Sequence, residues 1–249
     1  MPRDVVAAQP PKPLGLPELL DRAIREYRRH FVFFAAIAII CVLPELTADW
    51  IWRSGTPILL TRLVVAPFAL GLLFISATQV VISNQARLGD VLVAAFKRYF
   101  PFAGVVVGYV LCYMSLLLLF LGVWVFVRWS MAAPALAAER IRPMAAIRRS
   151  TTLVRGAWWR CFFTMLTVLA LSGLVASILG MSVGVAVAFV PGLPGDIDLL
   201  LAGTLAVLAG SLVIPIIPIA LSLLYVDLRV RKEGFDLDYL ARSAAENAA

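Results

Sequence analysis

Between positions 102 and 138 the chain runs for 37 residues with one charged side chain, Arg128. About 20 residues of α-helix cross the hydrocarbon core of a bilayer, so this run is too long for one crossing and long enough for two short ones. The rest of the chain agrees with a lipid solvent. Of its 249 residues 62% are hydrophobic and 15% charged, with a mean hydropathy of +0.93. A soluble domain of this size keeps roughly a quarter of its residues charged. So few charges cannot screen so much apolar surface from water, and lipid must solvate most of the chain.

Charge placement then sets the topology. The 37-residue run is flanked by Lys97 and Arg98 on one side and by Arg140, Arg142, Arg148 and Arg149 on the other. Basic flanks stay in the cytoplasm, so the run is expected to enter and return, turning near Gly122. That divides it into spans at 102–121 and 123–137. The second is short for a crossing and is expected to tilt or to re-enter. Other spans are expected at 31–46, 57–83, 161–190 and 198–225, the last interrupted by Pro215 and Pro218. The segments 49–55 and 191–196 read as outer turns, the first carrying Trp50 and Trp52 as interface anchors. In this arrangement 19 of the 22 Lys and Arg face the cytoplasm, with Arg53, Arg62 and Arg128 as exceptions. Two basic ends require an even number of crossings, which favours six over five.

Three segments between the spans are amphipathic and basic. Residues 14–30 place Leu16, Leu19, Leu20, Ala23, Ile24 and Tyr27 on one helical stripe, flanked by Asp21, Arg22, Arg25, Arg28 and Arg29. Residues 84–101 and 142–160 follow the same plan. In the third, Ile147, Val154 and Trp158 oppose Arg148, Arg149, Thr152 and Arg155. Such helices are expected to lie in the headgroup layer with their apolar faces in lipid. Each precedes a pair of spans, so the pattern of basic helix and hairpin occurs three times, a weak internal repeat. Residues 1–13, with four prolines, read as a disordered cytoplasmic tail, residues 14–240 as one transmembrane domain, and 241–249 as a flexible C-terminal tail. The expected fold class is all-α: a polytopic transmembrane helical bundle of about six spans with three basic amphipathic interfacial helices.

Few side chains carry chemistry. Cys41, Cys112 and Cys161 stand apart in apolar runs without CxxC spacing, as small buried hydrophobes do. The only histidine, His30, sits where a basic helix meets an apolar run. No phosphate loop, nucleophile elbow, His-Glu-x-x-His or Cys/His ligand set is present, so no catalytic, cofactor-binding or metal-binding residues are assigned. Arg128 is the candidate intramembrane polar site, since an ionisable group within a span is costly. Its expected company is the outer interface, by snorkelling, or Asp196 or Asp198 beyond the turn at Gly122. Arg148, Arg149, Arg155 and Arg160 with Trp158 and Trp159 form the candidate surface for lipid or a protein partner. Small residues at every fourth position, Ala176, Gly180, Gly184 and Ala188, then Ala202, Ala206 and Gly210, let two spans pack closely, and Gly104 and Gly108 begin a third row.

The stretches LGVWVFVRWSMAAPALAAER, AAIRRSTTLVRGAWWR and IALSLLYVDLRVRKEGFDL resemble the integral-membrane domain fused to some bacterial glycerophosphoryl diester phosphodiesterases, and its stand-alone membrane relatives. The resemblance covers about 14–240, and YVDLRVRKEGFD is its most specific element. It implies a bacterial inner-membrane protein but carries no activity. The phosphodiesterase chemistry belongs to a separate soluble barrel with paired histidines and metal-binding carboxylates, which one histidine cannot supply.

The expected role is that of a non-catalytic inner-membrane protein, with both termini cytoplasmic: an accessory, scaffold or lipid-interacting subunit of a larger assembly. Its partners would be anionic phospholipid and a membrane protein, not nucleic acid, because the +7 charge is that of cytoplasmic loops. A small-molecule or lipid transporter is the alternative. A sealed bundle without a cavity would count against it, and a polar pocket around Arg128 would favour it.

Overall fold

A computed structural model describes residues 15–51, 55–83, 87–115, 119–190 and 195–233 of the chain, and every regular element among them is helical. The two tails and the turn segment 191–194 lie outside the described residues. In chain order the helices are α1 (Leu16–Arg29), α2 (Phe31–Ile51), α3 (Gly55–Ser83), α4 (Leu88–Lys97), α5 (Tyr99–Ser115) and α6 (Leu119–Trp129). They continue with α7 (Ala132–Glu139), α8 (Pro143–Val154), α9 (Trp158–Ala188), α10 (Gly195–Ser211) and α11 (Ile216–Glu233).

The three basic amphipathic segments are helices, and each packs part of its apolar face on protein while Ile24, Val93, Phe96 and Met144 stay exposed. In α1 the buried positions are Leu19, Ala23 and Tyr27, one per turn, and that face packs on α11. The helix starts with Pro17 in its first turn and with the Glu18 carboxylate accepting from the Gly15 N–H at 2.8 Å, which satisfies a donor that has no helical acceptor. α4 buries Val91 and Ala95 and packs on α3, while α8 buries Ala146, Ser150, Leu153 and Val154 and packs on α7. The chain bends by 86° between α1 and α2 and by 71° between α4 and α5.

The expected turn at Gly122 is not where the chain reverses. Gly122 is buried inside α6, which begins at Leu119; residues 116–118 lie outside the described set. The expected span 123–137 is also divided. α6 ends at Trp129, Ser130 turns back to Val127, and α7 starts afresh at Ala132. Eleven residues of α6 rise about 16 Å, roughly half of a hydrocarbon core. α7 is enclosed, with Ala132, Ala133, Pro134, Ala135 and Leu136 all buried. Among the described residues three helices are long and apolar enough to cross a membrane, Val64–Ser83, Trp158–Val187 and Leu201–Lys232, or five if each bent pair counts as one span. The expected six therefore becomes three to five on length and composition, because α6 stops short and α2 and α5 qualify only together with the bent helix before each.

The last segment shows how prolines are accommodated. Pro215 has no N–H to give, and around it Val213, Ile214, Ile216 and Ile217 bond three residues back. The Leu212 carbonyl accepts the Tyr27 hydroxyl of α1 instead. Beyond this break α11 continues to Glu233, well past the expected end of the span at 225. α9 and α10 form a hairpin whose small residues interlock as their spacing predicts. A Cβ added at Gly180 would stand 3.2 Å from the Ala206 carbonyl oxygen, and one at Gly210 3.4 Å from that of Ala176.

The large fully buried side chains, among them Leu19, Phe34, Leu72, Phe102, Met131, Leu136, Leu153 and Tyr225, come from α1, α2, α3, α5, α7, α8 and α11 and the link before α7. Among the described side chains the far half of α9 and α10 contribute none. Leu174, Ile178, Met181 and Val185 stay more than half exposed there. A continuous apolar surface of this extent suits lipid and not water.

Candidate functional site

Two carboxylates organise the basic residues that the sequence groups together. Glu139 ends α7, and its Oε1 accepts from the Arg149 Nε at 3.0 Å and from the Tyr225 hydroxyl, with the Arg229 Nε at 3.9 Å. Asp227, on α11, has no exposed side-chain surface. Its Oδ2 accepts from the Arg160 Nη2 at 2.8 Å and the Arg231 Nε at 3.0 Å. The neighbouring Lys232 ammonium donates to the Thr152 carbonyl at 3.1 Å and to that of Arg155. These bonds tie α7, α8, α9 and α11 together. A buried carboxylate without such partners would lose several kcal/mol of solvation.

The candidate surface therefore separates into two sets. Arg149 and Arg160 turn inward to the carboxylates. Arg148 and Arg155 stay exposed, and Trp159 is 66% exposed. Trp158 is half-buried; its Nε1 donates to the Trp124 carbonyl at 3.4 Å, and its ring stacks on Phe162 at 5.2 Å. Gly156, between α8 and α9, has φ +81°, a conformation that a side chain resists, and this lets the chain turn tightly from one helix to the next.

Arg128 belongs with this set. Its guanidinium lies over the Trp124 ring, 4.4 Å from the centroid, and both line a cleft of about 170 Å³ with Val154, Arg155, Gly156 and Trp158. The expected location beside Asp196 or Asp198 is thus corrected. Those residues open α10, and the 31 residues of α9 put about 46 Å between that end and the Trp158 end. The reversal of expectation follows from α6, which carries Arg128 toward α8 rather than away from it. The Ser150 hydroxyl closes the contact by donating to the Arg128 carbonyl at 2.6 Å and accepting the Met131 N–H at 3.1 Å.

Glu139, Tyr225 and Asp227 were absent from the sequence-based candidates. One signal was available: Glu139 is the only acid between Asp90 and Asp196, set in a strongly basic stretch. The other lay in YVDLRVRK, where one acid precedes three cations. Neither signal says which arginine each acid holds.

A second feature is an open cleft of about 510 Å³ lined by α3, α5, α6, α9 and α11. Leu70, Phe74, Val106, Phe126, Met165 and Val168 are among its walls. Its lining is almost wholly apolar, so it suits a hydrocarbon chain and would strip the hydration from an ion without replacing it. Cys41 and Cys161 are buried and form no disulfide among the described residues; the side chain of Cys112 lies outside them. Among the described residues no group of three or more His, Cys, Asp or Glu side chains is placed to hold a metal ion.

No family model matches this chain, and no curated protein or solved structure is significantly similar to it.

Proposed function

We propose that this chain is a non-catalytic bacterial inner-membrane protein with both termini cytoplasmic, acting as an accessory, scaffold or lipid-interacting subunit of a larger membrane assembly. The observation that supports it is the surface at the α6, α8 and α9 junction. Arg128 and Arg155 stand there beside Trp124 and Trp158, with Arg148 exposed on α8 and Trp159 exposed on α9, while the part-buried Glu139 and the buried Asp227 tie α7, α8, α9 and α11 together. Each arginine near an anionic leaflet contributes about 1 kcal/mol of attraction, and tryptophan is at home in the headgroup layer. The motif resemblance to the phosphodiesterase-associated membrane domain points to the same compartment.

The apolar cleft favours a second reading, a transporter-like or lipid-handling protein, because its walls fit an acyl chain. Gentle purification from native membrane, with identification of co-purified lipids and proteins, separates the two. Enrichment of anionic phospholipid that falls severalfold in Arg128→Gln/Arg148→Gln/Arg155→Gln, together with a stoichiometric protein partner, supports the accessory role. A partner-free monomer holding one lipid favours lipid handling. Neutral and anionic lipid retained equally by both forms, with no partner, would sink the proposed function.

A further inference from the structure

A polar cleft of about 210 Å³ opens between the last turns of α3, the α4–α5 corner and the end of α7, away from the tryptophan-lined surface. Thr78, Gln79, Ser83, Arg98 and Arg140 line it, with Ile82 at its apolar side. The two arginines differ from those around Glu139 and Asp227. No carboxylate among the described residues pairs with either, and Glu139, adjacent in sequence to Arg140, is engaged by Arg149, Tyr225 and Arg229.

The Arg98 guanidinium is held in place, and the Arg140 backbone adopts a costly conformation. Arg98 is fixed by its Nη1, which donates to the Ala137 carbonyl at 2.9 Å and the Leu136 carbonyl at 3.4 Å. These belong to the last turn of α7, where carbonyls have no helical donor. Arg140 follows α7 with φ 55°, and among the described residues it is the only non-glycine with positive φ. Glycine is the residue that takes this position without penalty. An arginine kept in a left-handed conformation points to a use for its side chain. Burial, and then the nearby Arg140 charge, push the Arg98 guanidinium below its ordinary value. An anion between the two would relieve that repulsion.

We propose that Arg98 and Arg140 clamp one phosphate group, with the Gln79 amide as a further donor. Guanidinium groups match phosphate oxygens in planar, two-bond geometry. The lipid headgroup is the favoured source. Arg98 sits beside Lys97 at the 71° corner between α4 and the apolar α5, and Ile82, 58% exposed, offers hydrocarbon contact beside it. This deepens the lipid-contact reading while using different residues, so the two can fail separately.

The test uses the full chain in a neutral detergent, titrated with dioleoyl phosphatidylglycerol, dioleoyl phosphatidylcholine or inorganic phosphate. Binding is read by native mass spectrometry and thermal unfolding. Saturable binding of one phosphatidylglycerol per chain is expected, at least tenfold weaker in Arg140→Gly and Arg140→Asn. Both replacements suit the left-handed conformation, so their folding should match the parent or improve on it. Inorganic phosphate saturating alone, with the same dependence on Arg140, would keep the clamp and identify free phosphate as its ligand. Affinity within twofold of the parent in both variants, or only non-saturating, salt-sensitive uptake, would overturn the proposal. If the Arg128/Arg148/Arg155 variant loses anionic lipid enrichment while Arg140→Gly keeps its affinity, the clamp fails and the proposed function stands. The reverse pattern leaves the clamp and removes the arginine–tryptophan surface as the lipid contact of the proposed function.

Discussion

Asp227 has no exposed side-chain surface and meets two guanidinium groups, whereas Asp21 meets Arg25 at 2.6 Å with more than half of each side chain in solvent. Distance alone would rank the exposed pair higher, yet solvent decides the ranking the other way. Water screens the Asp21 pair and hydrates its members when it breaks, so such pairs contribute little. Removing Asp227 takes from Arg160 and Arg231 a shared carboxylate that water does not reach. Asp227→Ala is expected to destabilise the chain by about 1.5–3 kcal/mol, and Asp21→Ala by less than about 0.5 kcal/mol, measured by denaturant unfolding in mixed micelles. Equal losses would show that the Asp227 network is solvated. Arg149 and Arg160 could be picked out in the sequence as members of a basic run. Their partners could not, since Arg160 and Asp227 are 67 residues apart and only folding brings them within 2.8 Å.

Among the helices, the small residues make the sharpest test of packing. A Cβ on Gly104 would lie 2.8 Å from both Cβ and Cγ of Pro143, whose ring cannot rotate away, while one on Gly203 would meet nothing within 4 Å. Gly104→Ala must push α5 off α8 and should lose about 1–3 kcal/mol, with a lower midpoint in thermal unfolding. Gly203→Ala should gain a few tenths of a kcal/mol from helix propensity. A neutral Gly104→Ala would mean that α5 and α8 are not in close contact. The same scale shows the limit of periodicity. A stripe such as Leu19, Ala23 and Tyr27 says that one face of α1 leaves water, but it is silent on whether lipid or protein takes it. α11 takes it, because the broken backbone at Pro215 presents the Leu212 carbonyl to the Tyr27 hydroxyl. Small residues at spacing four were legible for the opposite reason. Two helices joined in a hairpin have few other surfaces to pack against.

For the whole molecule the open quantity is the number of crossings, which length and composition leave at three to five among the described residues. α1 packs on α11, so the first and last described helices are neighbours. Reporters joined ahead of Leu16 and after Glu233 are expected to appear on the same side of the membrane in a protease-protection or alkaline-phosphatase assay. Opposite sides would make the count odd and overturn the even topology. The sequence alone determined that the chain is helical, apolar over long runs and basic between them. Those properties follow from composition and from spacing along one strand of peptide, and they hold whatever the helices pack against. Only the tertiary structure decided that the 37-residue run breaks at Ser130, that α7 is enclosed, and that Arg128 faces Arg155 and Trp158. The physical reason is that apolarity drives a segment out of water without choosing between lipid and protein. That choice rests on shape and hydrogen bonds, such as the Ser150 hydroxyl between Arg128 and Met131, made by residues far apart in the chain.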